Sequence, residues 1–159
     1  VALRYPRGSG RGLDLSQPFP PLEIGRAEVL REGDGRVALV GIGTMTQHAE
    51  AAADRLESAH GLRPAVVDAR FVKPLDEALL ARLGETCEYL FTIEDNSVAG
   101  GFGSAVNEMF ERLGLPARAH PYGLPDRFVE HGSPEELYEE LGLTPGRLAE
   151  DIARRVNGR

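Results

Sequence analysis

One cysteine, Cys87, one lysine, Lys73, two methionines and no tryptophan occur in a chain of 159 residues. A lone cysteine excludes a disulfide framework and a cysteine-based metal site, and it fits a reducing cytoplasm. No apolar run approaches the roughly 20 residues that cross a bilayer, and no hydrophobic signal-peptide segment follows Val1, so no membrane partner is expected. A basic stripe is also missing. The 18 Lys and Arg are scattered among 25 Asp and Glu, and the net charge of −7 favours solubility and gives no footprint for nucleic acid. The four histidines, His48, His60, His120 and His131, have no ligand spacing, so no metal site is read from them.

What is present is the composition of a globular chain, 42% hydrophobic and 27% charged, long enough for one ordinary domain and a piece of a second. Residues 9–22 are rich in Gly and Pro and read as an interdomain linker. They separate a short strand-like remnant, residues 1–8, from one compact domain, residues 23–159. Because the chain starts at Val1 in that remnant, it reads as part of a longer protein.

Within 23–159 the apolar runs IGRAEVLRE and RVALVGIG flank Gly33-Asp34-Gly35, a turn signal that predicts an antiparallel hairpin. Thr44 with Gln47 predicts a capping box and a helix with Ala49, Ala52, Ala53 and Leu56 on its inner face, ended by Gly61. PAVVDA, residues 64–69, reads as a buried strand. Pro74 opens a helix that buries Leu75, Leu79, Leu80 and Leu83. EYLFTIE, residues 88–94, is the next strand, and Ala105, Val106, Met109, Phe110 and Leu113 mark the helix after it. RAHPY, residues 118–122, is a further strand. Ser133-Pro134 and Thr144-Pro145 start two last helices, the first with a boxed Glu136. Alternation of strands and helices predicts an α/β fold, three-layered, with a mostly parallel sheet of about five strands and one antiparallel hairpin strand.

The stretch EDNSVAGGFGSAV, residues 94–106, sits where a phosphate loop would sit, between a strand and a helix. Its Gly100, Gly101 and Gly103 do not follow the G-x-G-x-x-G spacing, no Walker lysine follows, and Glu94-Asp95 would repel an anion. Close backbone packing at a domain or subunit contact is therefore the expected role of the glycines. Ser97 and Ser104 stand in no G-x-S-x-G motif. In RYPRG, residues 4–8, Arg4 and Arg7 could present a guanidinium fork to a phosphate, or could simply be solvated at a strand end.

RYPRG at 4–8, DARFVKPLDEALL at 68–80, EDNSVAGGFGSAVNE at 94–108, GLPDRFVEHGS at 123–133 and EELGLTP at 139–145 together resemble the 1-deoxy-D-xylulose-5-phosphate synthase family, in the family's own order over nearly the whole chain. The resemblance implies a transketolase-type transferase of three domains that uses thiamine diphosphate and Mg2+ and works as a homodimer. Residues 1–8 would then end its pyrimidine-binding domain, and 23–159 would be its transketolase C-terminal-like domain. In that family pyruvate adds to the cofactor and loses carbon dioxide, and the product carbanion attacks D-glyceraldehyde 3-phosphate. The resulting 1-deoxy-D-xylulose 5-phosphate feeds isoprenoid, thiamine and pyridoxal synthesis. The family's metal motif, catalytic glutamate and catalytic histidines have no counterpart here. Gly33-Asp34-Gly35 copies the start of the metal motif, but the next Asn is distant Asn96. No catalytic, cofactor-binding or metal-binding residue is therefore carried over, and the segment alone is expected to be inactive. Arg7 alone is carried over, as the contact to the substrate phosphate. Two other readings stand beside this one: the equivalent domain of a transketolase or a 2-oxoacid dehydrogenase beta subunit, and a free-standing interaction module.

Overall fold

The structure is a computed structural model, and it describes residues 20–158 together with residues 12, 14, 16 and 18. Arg4, Arg7 and most of the linker lie outside the described residues. The elements in chain order are β1 (Glu28–Arg31), β2 (Val37–Gly41), α1 (Met45–His60), β3 (Ala65–Asp68), α2 (Glu77–Thr86), β4 (Tyr89–Ser97), α3 (Phe102–Arg112), β5 (Ala119–Leu124), α4 (Pro134–Glu140) and α5 (Pro145–Asn157).

The strands form one sheet in the order β1-β3-β2-β4-β5. β3, β2, β4 and β5 are parallel, and β1 pairs antiparallel with β3. The expected class and strand number are therefore what the chain adopts, but the hairpin is not. Asp34 N–H donates to the Arg63 carbonyl at 3.0 Å, and a Cβ on Gly33 would lie 2.3 Å from the Ala65 nitrogen. The Gly33-Asp34-Gly35 turn thus passes tightly over the start of β3, and β3 inserts between the two strands that the turn was expected to pair.

Alternation along the strands divides the core in two. Val37, Leu39, Val66, Phe91 and Ile93 face α1 and α5, where Ala49, Leu56, Leu148 and Ile152 are buried. Ala38, Val40, Val67 and Leu90 face α2 and α3, where Leu80, Leu83, Val106 and Phe110 are buried. The result is three layers, helix on sheet on helix.

Three helix starts differ in detail from expectation. Thr44 is already helical and its side chain makes no cap; the first amides of α1 are taken instead by the carbonyls of Ile42, Gly43 and Thr44. α2 begins at Glu77 and not at Pro74, because the Asp76 carboxylate accepts from Leu79 N–H at 3.0 Å and so fixes the cap. α3 begins at Phe102, so Phe102 and Gly103 join its buried face while Leu113 is 42% exposed. The Ser133–Glu136 capping box forms as expected, as do the Gly61 left-handed ending of α1 and the inward row Leu148, Ile152 and Val156 on α5.

Asp76 also accepts from Ala27 N–H at 3.1 Å, and so ties the entry to β1 onto the cap of α2. Asp76→Ala removes both acceptors from a buried site and is expected to cost roughly 2 kcal/mol in urea denaturation. Asp76→Asn keeps one acceptor but turns the other into a donor facing an amide N–H, so it should recover little of that loss.

Candidate functional site

Ligands of open α/β sheets bind outside the carboxyl ends of the strands, where the strand order reverses. Here that point lies between β2 and β4, since the chain goes from β2 to β3 on one side and β4 lies on the other. The walls are the turn of residues 41–44 and the glycine-rich segment after β4, the same segment that the sequence marks as a candidate anion loop.

Leu90, Thr92 and Glu94 share one face of β4, the face that α3 covers. Glu94 is only 1% exposed. Its Oε2 accepts from Phe102 N–H at 2.7 Å and its Oε1 from Gly103 N–H at 2.9 Å. These are among the first amides of α3, the groups that a helix offers to an anion. The anion site therefore exists and is filled by the protein's own carboxylate.

The glycines make this possible by their lack of a side chain. A Cβ on Gly101 would lie 2.2 Å from Glu94 Oε2 and 2.2 Å from the Ser97 carbonyl oxygen, and one on Gly103 would lie 2.5 Å from Thr92 Oγ1 and 2.6 Å from Pro121 Cβ. The close approach expected of the glycines is thus internal to the chain. The rest of the loop is knit by its own polar groups. Ser104 Oγ donates to the Val98 carbonyl at 2.7 Å and accepts from Gly100 N–H at 3.2 Å, and Val98 N–H donates to the Leu124 carbonyl at 3.0 Å.

The other side of the switch point is closed by α4. Tyr138 donates its hydroxyl proton to Asp95 Oδ2 at 2.9 Å and meets the His48 ring edge to face, with centroids 5.2 Å apart. Burial, reinforced by the hydrogen bond to Asp95, pushes the Tyr138 phenol up to about 12. His48 Nδ1 donates to the Leu143 carbonyl at 2.8 Å, which fixes the ring. Glu94 and Asp95, expected to act together against an anion, have separate roles: one lies beneath α3 and the other holds α4.

Among the described residues no three His, Cys, Asp or Glu side chains converge on a metal position. Cys87 is half-buried, and burial raises its thiol pKa, which disfavours the reactive thiolate. No described helix is long and apolar enough to cross a membrane.

Residues 25–148 match the family described as the transketolase C-terminal domain. The chain belongs to this family. It is 47% identical over 152 residues, 96% of its length, to a 1-deoxy-D-xylulose-5-phosphate synthase of Chlorobaculum tepidum, and covers 24% of that protein. It is 48% identical over 154 residues to the chloroplastic 1-deoxy-D-xylulose-5-phosphate synthase 1 of Cannabis sativa, covering 94% of this chain and 21% of the relative. The chain thus spans about a quarter of the length of the curated relatives it matches. Among solved structures it is similar to a split gene transketolase, an inactive beta4 tetramer, with a TM-score of 0.77 and 34% identity over 91% of this chain and 46% of the other.

Glu94 is the residue whose role was missed in sequence, although a signal was there: an acid on the buried phase of a strand, just before a glycine-rich helix start, needs amides to pair with. Glu94→Gln turns one acceptor into a donor facing an amide and removes the charge. It is expected to destabilise the fold by roughly 2–3 kcal/mol, read by urea denaturation, whereas Glu108→Gln on the exposed side of α3 should stay within about 0.5 kcal/mol. Equal losses for the two variants would remove the anchoring role.

Proposed function

We propose that this chain is the C-terminal part of a 1-deoxy-D-xylulose-5-phosphate synthase, a homodimeric cytoplasmic enzyme that condenses pyruvate with D-glyceraldehyde 3-phosphate and releases carbon dioxide. The observation that carries this reading is 47% identity over 96% of the chain to a synthase of that name, together with membership of the transketolase C-terminal domain family. The alternative, a transketolase proper, has the weaker support of 34% identity.

In this reading thiamine diphosphate with Mg2+ supplies the chemistry that makes a nucleophile of the pyruvate-derived carbons. The described residues do not fit that group. The α3 amides that could take a diphosphate are occupied by Glu94, and no described acidic cluster suits the metal. In this reading cofactor and metal belong to the other domains of the enzyme, and this segment contributes an assembly surface. Its one proposed substrate contact is Arg7, for the phosphate of glyceraldehyde 3-phosphate, with residues 1–8 as the end of the pyrimidine-binding domain and 9–22 as the linker to the domain of residues 23–159.

The decisive assay is formation of 1-deoxy-D-xylulose 5-phosphate by the full-length protein that contains this segment; transfer of a two-carbon unit from a ketose phosphate, without that product, would favour the transketolase reading. Within the full enzyme Arg7→Ala removes a charge-assisted contact of roughly 1.5 to 3 kcal/mol. The KM for glyceraldehyde 3-phosphate should rise about tenfold or more, and that for pyruvate should hold. Arg4→Ala is the comparison, and equal damage to both substrates by Arg7→Ala would contradict the phosphate role.

A further inference from the structure

The proposed enzyme needs a face on which this domain meets the rest of the polypeptide, and the sheet indicates which one. Glu28 at the start of β1 pairs with Asp68 at the end of β3, so the chain enters the sheet at the carboxyl end of the parallel strands. Gly25 packs there against Pro74, and Ala27 bonds to Asp76. The loops after β3 and β5 project from the same end.

That end also collects exposed apolar side chains. Leu22 is 58% exposed, Ile24 73%, Val72 45% and Phe128 102%, whereas Leu113, beyond α3 at the opposite end, is 42% exposed. A phenylalanine with its whole ring in water is costly unless something covers it. Beside Phe128 a cavity of about 560 Å³ opens, lined also by Asn96, Ser97, Leu124 and Pro125. An apolar wall beside a recess suits a protein segment that brings an apolar side chain.

We infer that the carboxyl end of the sheet, centred on Phe128 and Val72, docks onto the part of the same polypeptide that precedes this segment. The inference rests on the proposed synthase reading, in which this chain is about a quarter of the whole and the preceding part leads to β1, which begins at this end of the sheet. The occupant is that preceding part, and the Phe128 cavity receives one of its side chains.

Single cysteines at Phe128, Val72 and Leu113 in the full-length protein, labelled with a maleimide and read by peptide mass spectrometry, test this directly. Phe128→Cys and Val72→Cys should label about tenfold or more slowly than Leu113→Cys in the native protein and equally fast in denaturant. Oxidative footprinting of the unmodified protein reads Phe128 itself, so a variant that fails to fold does not stop the test. Native labelling as fast at Phe128→Cys as at Leu113→Cys overturns the proposal. Protection that disappears when dilution dissociates the oligomer assigns the face to a second copy, and overturns it too. Synthase activity of the wild-type preparation is scored separately: activity with an unprotected Phe128 rejects the docking face alone, and protection without activity rejects the synthase reading alone.

Discussion

A helix that starts inside a protein must satisfy its first amides, and α3 gives two of them to the carboxylate of Glu94. A buried carboxylate in turn needs donors, and these are the donors it has. Each half of the pair solves the other's problem, which is why α3 lies so close over β4. Gly101 and Gly103 follow from that closeness, since a Cβ at either would overlap the atoms of this contact. The end of β4 next to Glu94 carries Asp95 to its bond with Tyr138.

Where an α/β sheet usually takes a ligand, Glu94 holds the first two amides of α3 on one side, and on the other Tyr138 of α4 bonds to Asp95 and meets His48. Membership of the transketolase C-terminal domain family agrees with a chain that spans only a quarter of the synthases it resembles.

The layered fold could be read from sequence because its signals are periodic. The apolar rows of α1 and α5 and the runs of β2, β3 and β4 needed no knowledge of partners. The hairpin was misread because Gly33-Asp34-Gly35 reverses the chain whether or not the reversed strands pair, and only β3, which arrives later in sequence, decides between them. Pro74 was misread as a helix start because a cap is chosen by which side chain reaches an amide, and Asp76 reaches Leu79; Thr44 does stand at the start of α1, but its side chain reaches no amide, so the expected capping box does not form. At the candidate site Gly101 and Gly103 do serve close packing, but within the chain and not at the domain or subunit contact expected, while Gly100, with a positive φ, has open space where a side chain would stand. Glu94 looks like a surface acid beside Asp95 until the alternation of Leu90, Thr92 and Glu94 is followed to the buried face. Arg7 was legible only through resemblance, since spacing alone leaves a solvated arginine equally reasonable.

The central claim is that the α3 amides are already occupied, and amide NMR during titration with inorganic pyrophosphate tests it most directly. The account predicts that the Phe102 and Gly103 amide resonances stay in place through millimolar pyrophosphate, with any shifts confined to exposed arginines. Saturable movement of those two amides would contradict it, because it would mean that an external anion can take the position assigned to Glu94.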